Sequence, residues 1–190
     1  MTALDRQAVL LIVDVQKGFD GFNQSLHRNN PDLETNIAQL LEAWRRTGRP
    51  IVFVQHVSRL PDSPLRPNQP GVDIKGEVRP RADEPIVQKS VNSAFIGTNL
   101  EADLRAKGYH TLVVTGMQTN LCVSTTVRMA GNLGFDTYVV SDATATFDNT
   151  GPDGRLFSAQ LLHDVALADL HREFATVLDT RGVLARVEVE

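Results

Sequence analysis

The sequence predicts a single α/β domain built on a six-stranded parallel sheet, and three observations carry that prediction. Short, β-branched apolar runs recur along the chain, nearly unbroken by polar residues, as strands buried on both faces are. Longer amphipathic segments lie between them, as crossover helices do. The length of 190 residues suits one core, so the domain is read as 1–190.

The first strand, 8–14, is an apolar run closed by Asp14. A helix follows: Asn30 offers a cap, Pro31 suits the first turn, and Gly48 is the stop. Between them Leu33, Ile37, Leu40, Leu41 and Trp44 make one apolar stripe. After a second strand, 51–57, the pattern fails from 58 to 85. That stretch holds six of the nine prolines together with Gly71 and Gly76, and it reads as a semi-rigid loop of the length usual for lids, binding loops or interfaces. A short strand, 85–88, leads to Lys89.

A second helix starts at Thr98, with Glu101 at capping-box spacing, and ends at Gly108 after Leu100 and Leu104. Strand 111–115 precedes a third helix over 122–133, with Val123, Val127, Ala130 and Leu133 on one face and Gly134 as its stop. Strand 137–141, a fourth helix over 153–170 and strand 174–178 complete the order.

Composition narrows the function. A formal net charge of −4 supplies no basic field, so neither nucleic acid nor an anionic membrane surface is expected as a partner; a small-molecule substrate is. The longest clean apolar run, 8–13, is far short of a signal or a span of roughly 20 residues. One cysteine excludes a disulfide within the chain and a multi-cysteine zinc cage, in keeping with a cytoplasmic location.

In open α/β sheets, ligands bind beyond the carboxyl ends of the strands. Asp14 closes the first strand, Lys89 follows the third, and Cys122 lies just past the fourth at the start of a helix. A helix N-terminus and a nearby ammonium both lower a thiol pKa, so Cys122 is expected to be an activated nucleophile. Asp14 would take its proton, and Lys89 would keep Asp14 ionised. Backbone amides around 119–122 would serve an oxyanion. Taken singly, each residue also has a plain reading: a small buried hydrophobe, a turn residue, a surface cation.

The segments LIVDVQKGF (11–19), KSVNSAFIGTNL (89–100) and VVTGMQTNLCVSTTVRMAGNLGF (113–135) resemble the isochorismatase-like cysteine hydrolase superfamily, the group that includes nicotinamidases and N-carbamoylsarcosine amidohydrolases. The likeness runs on through DATATF (142–147) to the helix bearing His163. It implies a three-layer α/β/α, Rossmann-like fold with strand order 3-2-1-4-5-6. It also implies a triad of Asp14, Lys89 and Cys122, and a cis peptide between Met117 and Gln118. The Gln118 and Cys122 amides would form the oxyanion hole, with Thr119 bracing the turn, and Phe19, Phe95 and Thr119 would line the substrate pocket. For the two phenylalanines, ordinary core packing is the competing reading.

No cofactor is implied. Nicotinamidases in this superfamily carry an Asp-x-His zinc motif after the second strand, where this chain reads Val54, Gln55, His56, Val57. No metal is therefore expected, and His56 reads as a hydrogen-bonded strand-end residue. His27, Arg28, Arg59 and Arg66 are either selectors of an anionic substrate or solvent-facing loop residues. Relatives commonly form dimers or tetramers, so a homo-oligomer is expected.

The function implied is hydrolysis of a C–N bond in a small amide or ureido compound through a thioester. Two alternatives stay open: vinyl ether hydrolysis of the isochorismatase type, and a non-catalytic thiol-bearing binding module. A dinucleotide site is excluded, because the first turn reads DVQKGFDGF and carries no G-x-G-x-x-G.

Overall fold

The computed structural model describes residues 2–21 and 26–188; Met1, and Phe22 at the end of the DVQKGFDGF turn, lie outside it. The elements are β1 (Val9–Val13), α1 (Leu33–Thr47), β2 (Ile51–His56), β3 (Ile86–Lys89), α2 (Leu100–Ala106), β4 (Thr111–Met117), α3 (Ser124–Asn132), β5 (Asp136–Ala145), β6 (Asn149–Thr150), β7 (Leu156–Phe157), α4 (Ala159–Leu170), β8 (Thr176–Leu178) and α5 (Thr180–Val187). Six strands pair in parallel in the order β3-β2-β1-β4-β5-β8. The spatial order is the expected one, and its last member is the eighth strand of the chain because a short β6-β7 ribbon precedes it.

Strand pleating explains the two cores. Leu10 and Ile12 of β1 face one cluster with Leu33, Ile37, Leu40, Leu41 and Trp44 of α1 and Val183 and Val187 of α5. Val9, Leu11 and Val13 face the other, with Leu100 and Leu104 of α2, Val127 and Ala130 of α3 and Leu170 of α4. The sheet is thus covered on both sides, which is why its central strands are apolar at every position.

Four local expectations need correction. Asn30 does not cap α1, since Asp32 holds that place without a side-chain bond. Instead, at φ 46°, Asn30 donates its amide to the carbonyls of Ser141 and Thr144 and ties the approach to α1 onto β5. The Thr98–Glu101 box does not form, because Thr98 turns back to Ala94 while Glu101 pairs with Arg105 one helical turn on. The fourth helix starts only at Ala159, where Ser158 accepts from the Leu161 amide; residues 149–157 form the β6-β7 ribbon instead. Finally, α5 was not foreseen. It is short, carries Gly182, and owes its start to Asp179 accepting from the Gly182 amide.

The proline-rich stretch is compact. Gly71 packs so closely on the Pro64 backbone that a Cβ there would collide with it, and the loop backbone bridges at Ile74 to Gln16 beyond β1.

Candidate active site

The site forms where β1, β2, β3 and β4 end. The Val13 and Gly116 positions are partners in the β1-β4 register, and Gly116 adopts φ 115°. A Cβ at 116 would strike the Val13 carbonyl, so only glycine lets the two strand ends approach this closely. Immediately beyond, Asp14 turns at φ 53° and is fully buried. After β4 comes the cis peptide Met117–Gln118, and then one π-helical turn, Thr119–Val123, that carries Cys122 into α3.

Asp14 Oδ2 lies 2.6 Å from Lys89 Nζ, with both side chains out of solvent. The ammonium also sits 3.1 Å from His56 Nδ1 and donates to the Val91 carbonyl at 3.2 Å. The Asp14 carboxyl group is also approached by the Cys122 side chain and the His56 backbone, and both hydrogen bonds favour its charged form. The ligating atoms of Asp14, His56 and Cys122 all fall within 4.8 Å of one another. The triad foreseen in the sequence therefore comes together, with His56 added to it.

Electrostatics follow from burial. Desolvation pushes the Asp14 carboxyl up to about 6, against the opposing pull of the Lys89 ammonium. Burial, reinforced by the Asp14 charge, pushes the Cys122 thiol up to about 12. This reverses the expected lowering: Cys122 sits inside a π turn rather than at a free helix N-terminus, and a carboxylate is closer company than solvent. The resting pair at neutral pH is a protonated thiol beside a carboxylate whose acid form loses its proton at about 6. Burial and the Lys89 charge hold His56 down at about 4, so its imidazole is neutral.

A metal does not fit these donors. Asp14, His56 and Cys122 are the chemistry of a zinc site, but the Lys89 ammonium already stands against Asp14 and His56 at hydrogen-bonding distance, where a second cation would have to displace it.

The turn around Cys122 is braced from two sides. Thr119 Oγ1 lies 2.9 Å from His163 Nδ1 of α4, and Thr146 Oγ1 donates to Asn120 Oδ1 at 2.5 Å. Thr119 is fully buried, which corrects its place as a pocket residue: its hydroxyl faces His163, and no solvent reaches it. Phe19 is buried as well, stacked 6.2 Å from Phe147, while half-buried Phe95 stacks 5.8 Å from Phe135. Arg59 and Arg66 border a cleft of about 620 Å³ that runs past Ser58, Ser90 and Lys89. Arg28 instead forms an ion pair with Glu34 at 2.7 Å. Gln16, not singled out in the sequence, proves central; the signal was a carboxamide two residues beyond the strand end within the DVQKGF motif.

An α/β fold with a buried carboxylate, a lysine and a thiol at the carboxyl ends of parallel strands defines a class of hydrolase rather than a nucleotide binder. The comparisons agree. The isochorismatase domain profile matches residues 8–182, and the chain belongs to the isochorismatase family of hydrolases. It is 47% identical over 177 residues to the isochorismatase family protein YrdC of Bacillus subtilis, covering 93% of this chain and 94% of that one. An isochorismatase-family crystal structure from Chromobacterium violaceum superposes with a TM-score of 0.93 at 43% identity, covering 98% and 96% of the two chains. A cysteine hydrolase from Pseudomonas syringae pv. phaseolicola superposes with a TM-score of 0.89 at 26% identity, covering 99% and 96%. Lower-identity relatives include the streptothricin hydrolase of Streptomyces noursei at 32%, the ureidoacrylate amidohydrolase RutB of Variovorax paradoxus at 27% and nicotinamidase 3 of Arabidopsis thaliana at 27%. Among the described residues no helix is long and apolar enough to cross a membrane.

Proposed function

We propose that this protein is a cysteine amidohydrolase that cleaves a C–N bond in a small amide or ureido compound without a cofactor. The observation that carries the reading is the pairing of a thiol with a fully buried carboxylate, their reactive atoms within 4.8 Å and joined by a hydrogen bond. That relatives include a nicotinamidase and a ureidoacrylate amidohydrolase supports the same bond type.

In the first half-reaction, Cys122 Sγ attacks the carbonyl carbon while its proton passes to Asp14. The thiol is too weak an acid to ionise alone at neutral pH, so attack and proton transfer are coupled. The oxyanion is assigned to the Gln118 and Cys122 amides. Asp14 then returns the proton to the departing nitrogen, the C–N bond breaks, and a thioester remains. In the second half-reaction, Asp14 takes a proton from water as the hydroxyl adds to the thioester, and Cys122 leaves with that proton restored. Lys89 keeps Asp14 in its basic form between these steps.

The test is ammonia release from a panel of small amides and ureido compounds by the native protein, Cys122→Ala and Asp14→Asn. The reading expects at least one compound to be turned over by the native chain and by neither variant. Turnover that survives Cys122→Ala would refute the thioester route and favour ether-type chemistry resting on Asp14 and Lys89.

A further inference from the structure

Gln16 brackets one residue of the neighbouring strand. Its Oε1 accepts from the His56 amide at 2.9 Å, and its Nε2 donates to the His56 carbonyl at 3.0 Å and to the Val72 carbonyl at 2.8 Å. The last paired residues of β1 and β2 are Val13 and Val54. The Gln16 carboxamide therefore acts as a substitute peptide group that carries the β1-β2 ladder two residues past its end, and it is fully buried while doing so. His56, fixed in this way, is the register partner of Lys89 in the β2-β3 pair.

The contact between them is directional. An ammonium has only donors, so the 3.1 Å approach of Lys89 Nζ requires a bare Nδ1 and places the imidazole proton on Nε2. Three acceptors, Asp14 Oδ2, His56 Nδ1 and the Val91 carbonyl, then lie within 3.2 Å of an ammonium with three N–H bonds. A carboxylate in place of His56 would share the lysine's charge with Asp14, and a cation would expel the ammonium. A neutral acceptor does neither.

We infer that Gln16 and His56 form a positioning relay that aims the Lys89 ammonium at Asp14 and thereby sets the pH at which the Asp14–Cys122 pair becomes reactive. Neither residue is assigned a contact with substrate. The inference rests on Cys122 being the nucleophile, but not on which bond is cleaved. Among the described residues, the charged and titratable groups facing the pair are Lys89 from β3 and His56 from β2.

The experiment is the pH dependence of Cys122 alkylation by iodoacetamide, followed by mass spectrometry. With one cysteine in the chain, the label reads that thiol alone. The native protein should become reactive as the pair loses its first proton. His56→Leu, which fills similar space without an acceptor, should move that midpoint up by about one pH unit and slow alkylation by roughly tenfold at pH 5, below both midpoints, and by about twofold at pH 7. His56→Asn, which restores an acceptor near Nδ1, should recover most of the loss. Gln16→Leu should reproduce the His56→Leu profile, and thermal melts of each variant should show it folded. Equal profiles for native and His56→Leu, or no recovery in His56→Asn, would overturn the relay. If His56→Leu does not fold, Gln16→Leu decides, and a native profile there also overturns it. The predicted alkylation profiles without turnover of any amide would leave the relay standing and remove the amidohydrolase reading instead.

Discussion

Two regions of this molecule bury a lysine against a carboxylate, and they leave that carboxylate in opposite states. At the start of α1, Lys75 meets Glu34 at 2.7 Å and Asp20 at 2.5 Å, and Arg28 adds a two-pronged bond to the same Glu34. At the strand ends, Asp14 is the one carboxylate that Lys89 meets among the described residues, with a neutral imidazole, a carbonyl and the Cys122 thiol as its other neighbours. Burial would raise Glu34, but hydrogen bonds from Arg28 and Lys75 outweigh it and hold that carboxyl at about 2. For Asp14, complete burial wins over one ammonium, and the carboxyl rises to about 6. Two cationic partners and partial solvent access lock a carboxylate as a structural anion. One partner and none make it a proton acceptor.

The sharpest break comes from chemistry. Asp14→Asn should lower amide turnover by about 10³-fold and Cys122→Ala by about 10⁴-fold or more, read as kcat/KM, while Glu34→Gln should leave turnover within a fewfold of native. Next in size is stability. Lys75→Met leaves Asp20 without its cation and Glu34 with Arg28 only, and should cost about 2–3 kcal/mol by urea unfolding.

The two carboxylates should also give opposite slopes of stability against pH. Folded Asp14 keeps its proton to about 6, whereas the unfolded residue loses it near 3.8, so stability from this residue falls as pH rises through that window. Folded Glu34 releases its proton near 2 and the unfolded residue near 4.5, so its contribution is complete above 4.5 and is lost as pH falls toward 2. Asp14→Asn should flatten the first slope and Glu34→Gln the second, each measured by thermal melts from pH 3 to 7. The smallest effect belongs to a third lysine pair, Lys17 with Asp73, where both side chains are about half exposed. Lys17→Met should shift unfolding by less than about 0.5 kcal/mol.

The sheet was legible in the sequence because its central strands are apolar on both faces, a pattern few other structures impose. The helix that begins after Pro31 and stops at Gly48, which adopts φ 67° as a left-handed stop requires, was legible for the same local reason. Thr180–Val187 was not: eight residues including a glycine carry too little periodicity, and the helix depends on its Asp179 cap. Asp14, Lys89 and Cys122 could be read because all three stand at the carboxyl ends of strands, Lys89 as the last residue of β3 rather than just beyond it. His56 is legible as a hydrogen-bonded strand-end residue, which it is, but its partner is not, since Lys89 lies 33 residues away in the chain. The direction of the thiol shift was unreadable, because desolvation is a property of packing, which spacing along a chain does not encode.

The place of β3 in the sheet has one more consequence. This strand has four residues, stands at the edge, and among the described residues pairs with β2 alone, and Ile86 at its start is 46% exposed. Edge segments of this kind open by local fluctuation at a fraction of the free energy that global unfolding requires. Lys89 rides on that segment, so the ion pair to Asp14 should loosen before the protein as a whole unfolds. On gentle heating, the amides of 86–89 should exchange with solvent early, and Asp14 should lose its counterion while β1 and β4 are still intact, switching the site off in a chain that remains folded.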